Sequence, residues 1–172
     1  FDVLEGEFLG IMGPSGSGKT TLLNSIATMI KVTSGKIRLK GEDISSFKGK
    51  ELSGYRGKSI GYLFQEFELL DNLTGRENII LPLSLHGMTG REAESSLKRL
   101  VRHFGIENEL DKFPSQMSGG QKQRVAAARA LIGNPGIVLA DEPTGALDSR
   151  NSKVLMDRLS AINEDEGRTI VM

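Results

Sequence analysis

Residues 13 to 20, Gly13-Pro14-Ser15-Gly16-Ser17-Gly18-Lys19-Thr20, narrow the choice of fold more than any other stretch of this chain. So dense a run of glycine with proline suits neither a helix interior nor a strand. An apolar run, Phe8 to Met12, precedes it, and Leu22, Leu23, Ile26 and Ile30 follow at helical spacing. The order strand, loop, helix is therefore predicted, and in that order G-x-x-x-x-G-K-[ST] is a phosphate-binding loop. Glycines let backbone N–H groups converge on phosphate oxygens, and the helix N-terminus adds partial positive charge. Lys19 is expected to reach the β- and γ-phosphates of a nucleotide and the Thr20 hydroxyl to ligate Mg2+, with Thr21 beside them in the binding set. The competing reading is a glycine-rich turn with a chance lysine, which leaves the flanking patterns unexplained.

Anion binding has to be local, because 22 basic and 22 acidic residues leave no net charge to draw the chain onto nucleic acid or anionic lipid. A length of 172 residues suits one domain. The absence of cysteine excludes disulfides and thiolate metal sites and fits the cytosol. Apolar stretches such as Ile79 to Leu85 fall far short of the ~20 residues of a membrane span, so no direct bilayer insertion is expected. The opening Phe1-Asp2-Val3-Leu4-Glu5 lacks a targeting pattern, and both ends are expected to be truncations of a longer protein.

Further along, Lys36 to Leu39 and Ile60 to Phe64 read as strands. Thr74-Gly75-Arg76-Glu77 and Thr89-Gly90-Arg91-Glu92 are capping-box patterns, and the second opens a helix with Ala93, Leu97, Leu100, Val101 and Phe104 on one face before Gly105. Ser118-Gly119-Gly120-Gln121 is a third capping pattern, starting a helix that carries Val125, Ala128, Leu131 and Ile132 up to Asn134-Pro135-Gly136. Ile137 to Ala140 is a short apolar run of the buried parallel kind; a helix with Val154, Leu155, Leu159 and Ile162 follows, then a strand from Thr169. Glu164-Asp165-Glu166 reads as a solvated loop. His86 and His103 lack metal-ligand partners in the sequence and read as ordinary surface or subdomain positions.

The run Ile137-Val138-Leu139-Ala140 ends in Asp141-Glu142. A buried strand that ends in a carboxylate places Asp141 beside a nucleotide-bound metal, usually through water. Glu142, one residue on, is then positioned to orient or deprotonate an attacking water as general base. The plain alternative is a pair of solvated acids at a strand end.

Ser118-Gly119-Gly120-Gln121-Lys122-Gln123-Arg124-Val125 closely resembles the signature motif of ABC ATPases, with Met117 where that family usually has Leu. Gln65 resembles its Q-loop and Ala146-Leu147-Asp148 its D-loop. The motif order is the family's, and the resemblance covers essentially the whole chain. It implies an α/β fold: a P-loop NTPase core with a mostly parallel sheet, about residues 1–65 and 134–172, and a helical subdomain, about 66–133, inserted between Q-loop and signature. It implies ATP and Mg2+ as ligands and a head-to-tail pair of domains, in which Ser118, Gly119, Gly120 and Gln121 of one face the P-loop of the other. Ser118 as the N-cap of a helix with two glycines behind it agrees with a second anion site, although plain capping explains the same pattern. Gln65 as metal-water ligand and transmission residue rests on the resemblance, and Asp148 has a rival role as the cap of the next helix. The family's adenine-stacking aromatic would precede Phe1, and its switch His would follow Met172.

Phe64 to Thr74, Glu77-Asn78-Ile79, Leu81-Pro82-Leu83 and Asp141 to Asp148 are similar to the bacterial branch of macrolide, lipoprotein-release and antimicrobial-peptide transport ATPases, and Leu69-Leu70-Asp71 with Ser45 to Leu52 leans towards its bacitracin-type members. That branch implies a permease partner and a place on the cytoplasmic face of the cell membrane. Among other members of the family, chromosome-type ATPases separate these motifs by coiled-coil arms, for which the stretch between Gln65 and Ser118 is too short and lacks heptads. Ribosome-acting ones usually carry two domains and basic linkers, so no nucleic-acid partner is expected. A cell-division type partner of a membrane complex remains as the alternative. The transported substrate is contacted by the permease and is not written in this chain.

Overall fold

The computed structural model describes residues 1–88 and 90–172. Its centre is strand β5, Ile137–Ala140, four apolar residues that are all buried. A strand this apolar requires cover on both faces. It lies between β4, Ile60–Leu63, and β6, Thr169–Val171, and β1, Phe8–Leu9, completes a four-stranded sheet in the order β1-β6-β5-β4 with every neighbour parallel. The two-residue period of the strands sorts their side chains. Ile137, Leu139 and Val171 pack with Leu23 and Ala27 around helix α1, Lys19–Ile26. Val138, Ala140 and Ile170 join the larger cluster on the opposite face.

That larger cluster is made by α3, Gly75–Leu85, α4, Arg91–Phe104, α5, Gly119–Leu131, and α6, Ser149–Glu166. The apolar face read from α4 is the buried one: Leu97, Leu100, Val101 and Phe104. Gly105, at φ 62°, ends that helix in the left-handed conformation that glycine adopts without strain. The capping box at the head of α3 is formed, with Thr74 N–H donating to Glu77 Oε2 at 2.8 Å and Glu77 N–H to Thr74 Oγ1 at 3.3 Å. Thr89, the first residue of the second expected box, lies outside the described residues. Gly90 precedes α4, and among the described residues no side chain caps that helix.

Several local expectations are corrected. Met12 is not in a strand: β1 ends at Leu9, and Met12 is 96% exposed. Ile30 is outside α1, which ends at Ile26. Glu164 to Glu166 form the last turn of α6 rather than a loop, because Gly167 at φ 63° supplies the cap and Glu166 is paired to Arg99 of α4 and to Arg168. A strand and an α-helix, among other elements, were not anticipated. Strand β3, Glu42–Asp43, pairs antiparallel with β2, Arg38–Leu39, and α2, Lys50–Ser59, carries two glycines and little apolar periodicity. Gly57 is needed there because any Cβ would run into the His86 ring at the end of α3.

Candidate nucleotide site

After Leu9 the main-chain ladder continues for one more step, with Met172 N–H donating to Leu9 O at 2.9 Å and Ile11 N–H to Met172 O at 2.6 Å. The chain then departs into solvent, and residues 12 to 18 are all exposed. Gly16 and Gly18 curl the loop through φ of 79° and 94°. At Gly13 a Cβ would come 2.7 Å from Ser17 Oγ. Gly18 heads α1, and among the described residues no side chain caps that end, so the first-turn N–H groups, which no helix pairs internally, also lack a capping side chain. Lys19 folds back over the loop, donating to the carbonyls of Gly13 at 2.9 Å and Pro14 at 3.2 Å.

Strand β5 brings the second group. Asp141 N–H donates to Leu63 O at 2.9 Å, extending the pairing with β4, and Thr20 Oγ1 donates to Asp141 Oδ1 at 3.0 Å. A hydroxyl and a carboxylate so placed are hard oxygen donors of the kind Mg2+ takes together with phosphate oxygens and waters. Among the described residues no group of three or more His, Cys, Asp or Glu side chains forms a metal cluster of its own. Glu142 adopts φ 44°, a left-handed conformation uncommon for a residue with a Cβ and worth about 1 kcal/mol or more of strain. Its Oε1 lies 3.7 Å from Lys19 Nζ. The turn closes with Gly145 N–H donating to Glu142 O at 2.9 Å, and Gln65, two residues past the end of β4, stands against it: a Cβ on Gly145 would approach Gln65 Nε2 to 2.8 Å. Met12, Lys19, Asp141, Glu142 and Gly145 line a cleft of about 320 Å3. Tyr62, behind Asp141, donates to Asn24 Oδ1 at 2.9 Å; burial first and the Asp141 carboxylate second push its pKa up to about 12, so it stays a neutral hydroxyl.

A second cluster gathers the remaining expected residues. Ser118 caps α5 with the full box: Ser118 N–H donates to Gln121 Oε1 at 2.8 Å, and Gln121 N–H reaches Ser118 Oγ at 3.4 Å. Gly119 is exposed beside Phe67 and Leu147, whereas Gly120 is buried, and a Cβ on it would come 2.2 Å from Asn151 Oδ1. Asn151 donates to Asp148 twice, from its backbone at 2.8 Å and its side chain at 2.7 Å, so Asp148 does cap α6. Those bonds, the backbone one first, hold the Asp148 carboxyl below its ordinary range. Among the described residues no hydrogen bond or ion pair joins Ser118, Gly119, Gly120 or Gln121 to the loop of residues 13 to 20. The expected site residues thus stand in two separate clusters.

The sequence model of the family described as "ABC transporter" matches residues 1–145. The chain belongs to the ABC transporter family. It is an ATP-binding domain of that family, and its class of reaction is ATP hydrolysis. The Bacitracin export ATP-binding protein BceA of Halalkalibacterium halodurans is 48% identical over 170 residues, 99% of this chain and 67% of that protein. The Macrolide export ATP-binding/permease protein MacB of Syntrophobacter fumaroxidans is 43% identical over 99% of this chain and 24% of its own length. Among solved structures, the ATP-binding cassette MJ0796, whose sequence is from Methanocaldococcus jannaschii, superposes with a TM-score of 0.89 at 42% identity, covering 99% of this chain and 75% of that one; it is described as a dimeric post-hydrolysis state bound to ADP and Pi.

Around the site of this ABC domain stand residues that sequence reasoning did not single out. Gln123 is fully buried and donates to Phe64 O at 3.0 Å and Pro143 O at 2.6 Å, tying α5 to the ends of β4 and β5. Arg129 holds the carbonyls of Phe67 and Glu68, two successive residues at φ 63° and 48°. Asn78, also fully buried, bonds Leu70, Leu73 and Thr74 and so shapes the loop before α3. The signal available for these was a polar residue at a helical core position; their partners, distant in sequence or carried by the main chain, gave none.

Proposed function

We propose that this domain binds Mg-ATP between two copies of itself arranged head to tail, and that closure and hydrolysis drive a membrane permease. Backbone N–H groups of Gly13, Ser15, Gly16, Ser17 and Gly18 receive the phosphates, Pro14, which has no N–H, shapes the loop between them, and Thr21 stands at the entry to α1. Lys19 exchanges its two carbonyl partners for the β- and γ-phosphate oxygens, a charge-assisted contact stronger than the neutral ones it leaves. Thr20 and Asp141 hold Mg2+, with Gln65 as a further ligand through water; the ion offsets phosphate charge when bound. Glu142 takes the proton of the attacking water, and the half-exposed carboxylate in its strained turn is free to do so once Lys19 has moved to the phosphate. Ser118, Gly119, Gly120 and Gln121 of the partner, with Asp148 beside them, complete the γ-phosphate side.

The observation that supports this reading is that, among the described residues, no hydrogen bond or ion pair joins Ser118 to Gln121 with the loop of residues 13 to 20 in one chain. The relatives support the biological role: exporters named for bacitracin and for macrolides favour a peptide, antibiotic or lipid-linked substrate and a peripheral place on the cytoplasmic face of the membrane, through the permease. The direct test is Glu142→Gln in the full-length protein. ATP should then bind and assemble a stable dimer, and adding Ser118→Arg should abolish that dimer while leaving the monomer's nucleotide affinity within about 2-fold, since only the partner's half-site is lost. A Ser118→Arg protein that still dimerises on ATP contradicts the shared site.

A further inference from the structure

Glu109 is the one buried charged side chain among the described residues, 5% exposed. A carboxylate at such a position costs several kcal/mol in lost hydration unless paired, and an apolar residue of similar volume is often at least as stable there. Its presence therefore calls for a role other than bulk stability. It has two polar partners. Lys112 Nζ, 3.6 Å away, is at ion-pair rather than hydrogen-bond distance. Gln121 Nε2 donates to Glu109 Oε1 at 2.6 Å, a short charge-assisted bond.

That bond fixes which way the Gln121 amide faces. With Nε2 on the carboxylate, Oε1 is left to accept Ser118 N–H at 2.8 Å, and a flipped amide would set oxygen against oxygen at Glu109 and nitrogen against N–H at Ser118. The capping turn is then held from the Gln121 side. Ser118 Oγ is left on a long 3.4 Å contact that a phosphate oxygen can replace. Glu109 is itself anchored to the segment that follows Gln65: Gly75 and Arg76, at the head of α3, donate to Lys112 O at 2.8 Å and Leu110 O at 2.9 Å. A Cβ on Gly75 would come 2.3 Å from Glu109 O, so the two backbones meet with no room to slide.

We propose that Glu109 is a positioning residue for the phosphate-facing end of α5: through Gln121 it holds Ser118 in the conformation that meets ATP bound to the partner domain. The proposal rests on the shared-site reading above and adds to it a buried carboxylate outside the signature motif. It also gives the segment after Gln65 a continuous polar path to Ser118, from α3 through residues 109 to 112.

The test uses full-length protein in the Glu142→Gln background and reads three quantities: the ATP concentration that half-assembles the dimer, monomer affinity for ADP, and the thermal midpoint. Glu109→Leu should raise the first by about 10-fold, the scale of one charge-assisted bond, and leave ADP affinity within about 2-fold. Glu109→Gln keeps size and an acceptor oxygen, guards against a loss of folding in the Leu variant, and should raise it only about 3-fold. Both effects should fall below about 2-fold when Gln121 is already Ala, since residues that act through one another are not additive. An unchanged dimer midpoint in Glu109→Leu, an undiminished effect in the Gln121→Ala background, or a loss that tracks the thermal midpoint across these variants overturns the proposal. Ser118→Arg is the control: if it leaves the ATP-driven dimer intact, the shared site itself has failed, whereas loss in Ser118→Arg with no loss in Glu109→Leu removes only the role of Glu109.

Discussion

Helices α1 and α5 both start beside glycine and both are assigned a phosphate, yet their first turns are built in opposite ways. The start of α1 has Gly18 in place of a capping side chain, and Lys19 is held by two loop carbonyls and an ion pair with Glu142 that a phosphate can displace. The start of α5 is closed by its own Ser118–Gln121 box and braced from behind by Glu109. An uncapped helix end is an anion site at all times, while a capped one becomes available only when its hydroxyl changes partner. On the function proposed above, the first half-site binds nucleotide alone and the second engages when a loaded partner arrives.

Variants that hit one half and spare the other test this contrast. The largest effect belongs to Lys19→Ala, which should lower turnover by about 10³-fold, since Lys19 is the one basic residue in the run 13 to 20, and should weaken nucleotide binding in the monomer as well. Steady-state phosphate release and calorimetry would show it, and wild-type values for both would remove the phosphate-binding assignment. Glu142→Gln should slow hydrolysis by about 10²-fold with binding retained, the scale of a lost general base. Near-normal turnover there would mean that another group activates the water. Ser118→Ala should be milder and should fall on the other half: monomer affinity unchanged, ATP-driven dimerisation weakened about 5-fold, and roughly 1 kcal/mol of stability lost with the cap. A change in monomer affinity would merge the two halves and break the contrast.

The smallest effect is a pH dependence at Asp148. Hydrogen bonds from Asn151 hold its folded-state pKa below the unfolded one. Its contribution to stability is therefore present above the ordinary carboxylate value of about 4 and is lost as pH falls through the folded-state value. Asp148→Asn keeps a capping side chain that does not titrate. The gap in unfolding midpoint between wild type and this variant should shrink between about pH 5 and pH 3, whereas a constant gap would show that the charge on Asp148 does nothing for the cap.

What could be read ahead of the structure was local. The loop at 13 to 20, the acids after β5 and the boxes at Thr74 and Ser118 declare themselves within a few residues, because cap, turn and period are short-range properties. Helix α2 did not, since Gly57 is there for the His86 ring of a later helix. Gln123, Arg129, Asn151 and Glu109 escaped for the same reason: each is an ordinary polar residue until its partners, brought from other elements, stand beside it. The last turn of α6 was misread because the acids that suggested solvent include Glu166, which pairs with Arg99 on another helix.

The claim beneath all of this is that each ATP lies between Lys19 of one chain and Ser118 of the other. A mixed dimer of full-length protein decides it, with Lys19→Ala in one chain, Ser118→Arg in the other and Glu142→Gln in both. Head-to-tail pairing puts both lesions in one pocket and leaves the second pocket with an intact Lys19 and an intact Ser118, whereas same-chain sites would each carry one lesion. The measurement is retained nucleotide per dimer: about one ATP is the result this account predicts from an anion held between two helix starts, and none retained contradicts it.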